Sequence, residues 1–506
     1  MARYKGPNFI LELRLYPQQW EFDFLEHLFR CSEKMYNNLV YFANGQLKKM
    51  RKDSDYIHFL DLYVNEKDEK KKKDYGKELS AIREKYHLSS NYFESYINKI
   101  HNKSYKKTID CDTVQKLAQR VWKSTEACLF GNGKKVHFKK FKTLDSIEGK
   151  KNTSGIKFDK DHSVLKFRGM IISVKIRKTD YYAKEALENE ISYCRIIRKP
   201  FKTGYKYFLQ IVLRGVPPIK PNRIPGQIKG NVAIDIGPST IAAIGEEDGL
   251  LEPLSPQSIK DCNKLIIKLS RKLERSRRLA NPQNYNKDGT IKKEKHQWLK
   301  TKNYYKILFQ LKNIYRLKTL YLREYQAVVQ KRIMSFGNNF ATEEINFISW
   351  QKRSKKQTEK SNQIIETKDK NGNIKKYQKN KKKKRFGKSL NNNSPGRFIN
   401  ELKQKLEYFE IELEEINTQK MKASQYNHDT NTCIKVPLSQ RGKLVDGQWV
   451  QRDLYSAFIV QNRKDKETVD RAKCEKGFKK FLEIQNRIIE NLKKRGDDLP
   501  KCMGIL

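Results

Sequence analysis

The segment GVPPIKPNRIPGQIKG, residues 215–230, carries four prolines. Each proline fixes φ and lacks the backbone donor that a helix or a central strand needs, so no regular element runs through this stretch. The stretch therefore reads as a linker between two domains.

The first half opens on NFILELRLYP, where Phe9, Leu11, Leu13 and Leu15 alternate with Glu12 and Arg14. That period of two predicts a half-buried strand. Trp20, Phe24, Leu28, Cys31, Met35, Leu39 and Phe42 then recur every three or four residues, predicting a long helix. Helical sequence continues to about residue 130 and includes the solvated run NEKDEKKKKDYGKE. Strands follow. LKFRGMIISVKIRK reads as one, and ISYCRIIRK with YKYFLQIVLR reads as a hairpin around Lys202-Thr203-Gly204. A sheet is thus begun, interrupted by helices and resumed.

The second half begins with GNVAIDIGPSTIAAIG, an apolar strand interrupted by Asp235 and followed by a second hairpin strand. Two long helices are split by the turn NPQNYNKDGT. The second carries the stripe Ile307, Leu311, Ile314, Leu317, Tyr321, Tyr325 and Val328 and stops at Gly337-Asn338-Asn339. FATEEINF and EYFEIELEEINT read as strands, and DLYSAFIVQN opens a helix. Between them, residues 351–388 hold 16 Lys and Arg against 3 Asp and Glu. Such a run is a solvated loop, a phosphate-tracking loop, or both.

Charge decides the class of partner. Lys and Arg number 107 against 58 Asp and Glu, a formal net charge of +49. An excess of that size calls for a large polyanion. An anionic membrane is the alternative, but no run of about 18 apolar residues occurs and the basic residues spread along the whole chain. Nucleic acid is the expected partner and no membrane is expected. The N-terminus has no apolar core of about 7–15 residues, so no secretory signal is read. Eight cysteines are scattered without a CxxC pair, which points to a reducing cytoplasm and thiols used as small hydrophobes.

Three acids carry the chemistry. Asp235 and Glu343 lie in separate strands and Asp453 near a helix start. Carboxylates brought together from distant segments are what two Mg²⁺ ions roughly 3.5–4 Å apart require for phosphodiester hydrolysis. Gly237, Ser239 and Thr240 beside Asp235 are small enough to admit a phosphate backbone. Each acid also has a plainer reading. Asp235 fits an edge charge or an ion pair. Glu344 adjoins Glu343, and Glu410, Glu412 and Glu414 alternate along another strand as rivals. Asp453 fits a helix cap or first-turn acid.

AIDIGPST, ATEEINF and VQRDLYSAF together resemble the three RuvC motifs of the TnpB family of transposon-encoded RNA-guided nucleases and of the compact type V CRISPR effectors related to it. Glu343-Glu344-Ile345-Asn346 matches the family's Glu-x-aliphatic-Asn quartet, which selects Glu343 over Glu344. Arg452-Asp453-Leu454 with Ala457 matches its Arg-Asp-Leu-x-x-Ala helix start. KLSRKLERS, RFGKSLNNNSPGRFINELKQKLEYF and LRLYP…MYNNLV extend the similarity over most of the chain.

The resemblance implies an α+β multidomain protein. A wedge-like β-barrel (1–17 and 134–215) would carry a helical recognition domain (18–133). A linker (216–229) would lead to an RNase H-like RuvC nuclease domain (230–255, 340–350 and 396–485) with a helical insertion (256–339) and a basic loop (351–395). It implies a Mg²⁺-dependent RNA-guided DNA endonuclease of a prokaryotic cytoplasm, with Mn²⁺ able to substitute. Guide RNA, from a transposon end or a crRNA, and target double-stranded DNA beside a short flanking motif would be the partners. Asp235, Glu343 and Asp453 would be the catalytic metal ligands. Two other readings stand beside this one: a nuclease-inactive RNA-guided repressor and an unguided RuvC-type nuclease. The family's zinc ribbon of two CxxC pairs is replaced by SQYNHDTNTCIKVPLSQRGKLVDGQWVQRD, with one histidine, His428, and one cysteine, Cys433. Four-coordinate zinc needs four such ligands, so no zinc is expected and Cys433 is read as structural.

Overall fold

The computed structural model describes residues 6–131, 133–219, 229–294, 296–351, 360–368, 374–380, 387–437, 439–495 and 499–505. The chain divides into two compact units between Pro218 and Ile219, inside the proline-rich segment. Most of that segment and much of the basic run lie outside the described residues.

In the first unit, β1 (Asn8–Tyr16) leads into five helices, α1 (Gln19–Met50), α2 (Ser54–Asn65), α3 (Glu69–Lys85), α4 (Ser90–Ser104) and α5 (Cys111–Leu129). The chain then returns through β2 (Ser146–Glu148), β3 (Lys157–Asp159), β4 (Val164–Phe167), β5 (Met170–Val174), α6 (Tyr181–Ala186), β6 (Ile191–Phe201) and β7 (Gly204–Arg214). The strand order is β2-β6-β7-β1-β5-β4-β3, so β1 returns to the middle of a sheet completed more than a hundred residues later. Among the described residues β2 and β3 do not pair, and the expected barrel is an open sheet.

β1 alternates strictly, its odd residues buried and its even ones exposed. Phe9, Leu11, Leu13 and Leu15 join Ile196, Leu209 and Ile211 in one core with α1, α4 and α5. Trp20, expected on the buried stripe of α1, is 53% exposed and donates to Gln18 Oε1 instead. The hairpin at Lys202-Thr203 forms as expected. LKFRGMIISVKIRK, expected as one strand, folds back on itself. Arg168 (φ 48°) and Gly169 (φ 81°) both take left-handed backbone, the two-residue turn whose twist suits a hairpin, and β4 pairs with β5.

The second unit is built on β8 (Asn231–Ile236), β9 (Thr240–Ile244) and β10 (Gly249–Pro253), then the long helices α7 (Ser258–Ala280) and α8 (Lys302–Met334), then β11 (Asn339–Glu343) and α9 (Phe347–Gln351). The basic run, read as a loop, holds a two-stranded ribbon, β12 (Lys360–Lys368) with β13 (Ile374–Asn380). There follow α10 (Gly387–Asn393), α11 (Pro395–Glu407), β14 (Leu413–Ile416), α12 (Thr418–Met421), β15 (Tyr426–Asn427) and β16 (Thr432–Cys433). The hairpin β17 (Gly442–Val445) with β18 (Gln448–Gln451) precedes α13 (Arg452–Gln461) and α14 (Arg471–Arg495).

The main sheet is ordered β10-β9-β8-β11-β14. β8, β11 and β14 run parallel, and β9 runs antiparallel to both of its neighbours. Both faces are covered. Ala233, Ala242 and Ala341 pack with α13 and α14, whereas Val232, Ile234 and Phe340 pack with α8 and α11. A strand buried on both faces reads as a continuous apolar run, which is what surrounds Asp235. Entry to β11 depends on a close approach: a Cβ on Gly337 would stand 2.5 Å from Gly230 O.

The stripe expected on α8 holds at Leu311 and at Tyr325, which packs against the core, but fails at Tyr321 and Val328, which are exposed; the other buried positions are Leu322, Gln326, Val329, Gln330, Ile333 and Met334. The buried glutamines are satisfied: Gln326 Nε2 donates to Leu254 O and Asn393 O, and Gln330 Nε2 to Phe398 O. Among the described residues no helix is long and apolar enough to cross a membrane.

Candidate active site

Asp235 occupies the central strand β8, in phase with Ala233 and so on the face that meets α13. It is not an edge charge. Thr342 of β11 pairs with Ile234 in parallel register, which brings Glu343 alongside Asp235 at the same level of the sheet. Glu343 shares the phase of Ala341 and so the same face. Glu344 points the other way in sequence phase and is exposed at the rim.

Asp453 arrives from α13, but not as its cap. Gln451 is the cap residue: its side-chain oxygen accepts from Leu454 N at 2.7 Å. The backbone N–H of Gln451 donates to Gln485 Oε1, and its Nε2 donates to Met503 O. One buried glutamine thus fixes the helix start against α14 and the segment after it, leaving Asp453 free of capping duty.

The three acids line one cavity of about 440 Å³, together with Gly237, Thr240, Arg441, Arg452 and Cys502. Part of Asp235 reaches the cavity; protein encloses the rest. Burial raises its carboxyl well above the ordinary range, and the negative charges of Glu343 and Asp453 raise it further. Burial likewise lifts Glu343 to about 7, opposed by the Arg452 charge. Asp453 is raised by burial, and Arg441, Arg452 and bonds from Gln451 and Thr240 oppose the shift. Ser456 Oγ, fully buried one turn into α13, faces Asp235 and opposes the rise, although among the described residues it reaches full hydrogen-bond geometry with no partner.

Such a set is strained as it stands. Three carboxylates share a poorly solvated cavity, and among the described residues that line it two guanidinium groups, of Arg441 and Arg452, offset them. Among the described residues no three Asp, Glu, His or Cys groups converge into a ready-made ion cage. The donor chemistry nonetheless suits a hard divalent cation: oxygen donors, clustered, under-compensated and open to one side.

Of the rival acids, Glu344 stays at the rim of this cavity, whereas those around β14 go elsewhere. Glu414 pairs with Arg463 at 2.6 Å, Glu415 pairs with Lys403, and Glu410 and Glu412 line a different hollow with Lys403. Sequence reading missed Arg441 and Cys502. Neither has a local signal, and each reaches the cavity only through tertiary folding. Cys433, read as structural, is exposed on β16. His428 is buried against Phe478 and bonds Tyr455 through Nδ1 at 2.8 Å, and burial holds its pKa below the usual value.

No protein-family model matches the chain, and no curated protein matches it. Among solved structures, a chain of one titled "Cryo-EM structure of CRISPR-Cas12f Ternary Complex" aligns over 89% of this chain and 83% of its own length, at 12% identity and a TM-score of 0.25. At that TM-score the likeness carries no argument about this chain.

Proposed function

We propose that the second unit is an RNase H-like, RuvC-type nuclease that hydrolyses phosphodiester bonds of DNA, and that the chain is guided by RNA. One observation carries the reading: acids at 235, 343 and 453, from two neighbouring strands and a helix, line one cavity at the strand ends. The sheet supports it. Numbered within the unit its order is 3-2-1-4-5 with the second strand antiparallel, and ligands of open α/β sheets sit beyond the carboxyl ends of their strands.

Asp235, Glu343 and Asp453 would hold Mg²⁺. When bound, Mg²⁺ supplies activation of water and stabilisation of the leaving oxygen. The chain's own residues do the rest. The carboxylates enter charged once their repulsion is relieved. Arg441 and Arg452, at the same cavity, meet the phosphate as cations and orient it. Gly237 and the short Pro238-Ser239 turn keep side chains out of the way of the strand being cut. Gln451 keeps Asp453 at its station.

The guided reading rests on charge: +49 on 506 residues exceeds what a small catalytic groove needs, and a structured RNA with a heteroduplex supplies the missing anions. The test is to sequence the RNA that copurifies and to assay cleavage of a matching duplex with Mg²⁺. A discrete RNA with RNA-dependent cutting is expected. Cutting without RNA would leave an unguided nuclease, and guided binding without cutting would leave a repressor.

A further inference from the structure

The seven-stranded sheet has a second face, directed away from its core. On β1, β6 and β7 that face is formed by the even residues of β1 and by the residues in register with them: Glu12 stands opposite Gln210, which is opposite Arg195, and Arg14 stands opposite Phe208, which is opposite Ile197. Solvated faces of half-buried sheets normally carry polar side chains. This one carries rings. Tyr16 is 44% exposed, and Tyr193 and Phe208 are half-exposed.

The rings are interleaved with cations. Arg14 lies 4.6 Å over the Tyr16 ring, Lys199 4.8 Å over Phe208 and Arg195 5.1 Å over Tyr193. The acids that meet these cations among the described residues are Glu12, shared by Lys199 and Gln210, and Glu148 of the neighbouring β2, which pairs with Arg195 at 3.0 Å. An exposed ring–cation pair in water adds little to stability, about 0.5–1 kcal/mol. As a recognition element it offers both halves of a nucleotide their match: a flat apolar surface for the base and a charge for the phosphate.

We infer that this open sheet face is a stacking platform for the unpaired bases of a single-stranded polynucleotide. Charge favours that occupant over an apolar protein surface, which would have to bury Arg14 together with the ion pairs Arg195–Glu148 and Lys199–Glu12. Paired bases hide their faces within the duplex, so a platform of rings selects unpaired ones. The inference rests on the reading that the partner is nucleic acid; it does not rest on the acid cavity.

The test uses the full chain, freed of copurified nucleic acid in high salt. Its binding is measured by fluorescence anisotropy to an unstructured 20-nucleotide RNA, the matching single-stranded DNA and a duplex control. Phe208→Ala and Tyr193→Ala should each weaken single-strand binding about tenfold, leave the salt slope unchanged and leave duplex binding as it was. Arg14→Gln should instead lower the slope by about one. Phe208→Trp keeps a ring and should keep the affinity, which separates stacking from a folding defect. A greater loss on RNA assigns the platform to the guide, and a greater loss on DNA assigns it to a displaced strand. Ring variants that bind single strands like the parent, or that lose duplex binding equally, overturn the platform. Failure of the nuclease reading would register separately, as cleavage that survives loss of the acids.

Discussion

Each unit buries an acid, and the two acids are treated in opposite ways. Glu33, on α1 of the first unit, is 6% exposed and accepts three backbone N–H bonds, from Lys142, Thr143 and Leu144, at 2.9–3.0 Å. Its charge is consumed locally in pinning the chain as it returns from the helices to the sheet. Asp235 is enclosed without comparable donors and beside two further acids. The first arrangement stabilises the fold. The second works against it, which fits the proposal that a bound cation completes it. Burial alone therefore does not tell a structural acid from a functional one; the donors around it do.

The widest separation between the two is in catalysis. Asp235→Ala and Asp453→Ala should lower cleavage by roughly 10³-fold or more while target binding holds, because binding draws on many dispersed cations and cutting on three ligands. Glu344→Ala, at the rim, should retain substantial activity. Gel-shift and cleavage assays on the same preparations decide it. A dead Glu344→Ala beside an active Glu343→Ala would move the register by one residue.

Next in size is Glu33→Ala. It strands three backbone donors, that of Leu144 fully buried, and should cost about 3 kcal/mol. Hydrogen exchange at the amides of 142–144 is the direct readout, and unchanged protection there would remove Glu33 from the structural side.

The smallest effect is a matter of pH. The Glu343 carboxyl titrates near 7 in the fold against an ordinary 4.5, so over that interval the folded chain holds a proton that the unfolded chain has released. The resulting stability is complete below about 4.5 and is lost as pH rises through about 7. Glu343→Gln removes this dependence. Without metal, the variant should gain on the parent by about 2.5 kcal/mol between pH 5 and pH 8. Added Mg²⁺ should stabilise the parent and not the variant. Thermal melts at both pH values test this, and an equal gap at each would contradict it.

Much of this contrast could be read from sequence, and some could not. An acid inside an apolar run is a local anomaly, so Asp235 stands out. The strands holding Asp235 and Glu343 and the hairpin at Lys202-Thr203 follow from local period and turn chemistry. The Arg168-Gly169 turn was hidden because the residues on both sides are uniformly apolar and basic. The stripe on α8 failed where Gln326 and Gln330 are buried in place of apolar residues. Their cost is met by carbonyls at 254, 393 and 398, which no periodicity can anticipate. Glu33 looks like any helix-surface glutamate until the loop at 142–144 folds over it. Arg441 and Cys502 are likewise products of tertiary folding.

The pairing of β8 with β11 has a consequence in time. Asp235 and Glu343 lie 108 residues apart, and Asp453 a further 110 along. Parallel strands cannot be closed by a tight turn, and contacts of such long range form late and slowly. A nascent or partly unfolded chain can therefore present its cationic surfaces to nucleic acid before the acids have met. On the proposed reading, capture would precede cutting in the life of each molecule, and an incompletely folded copy would be a binder rather than a stray nuclease.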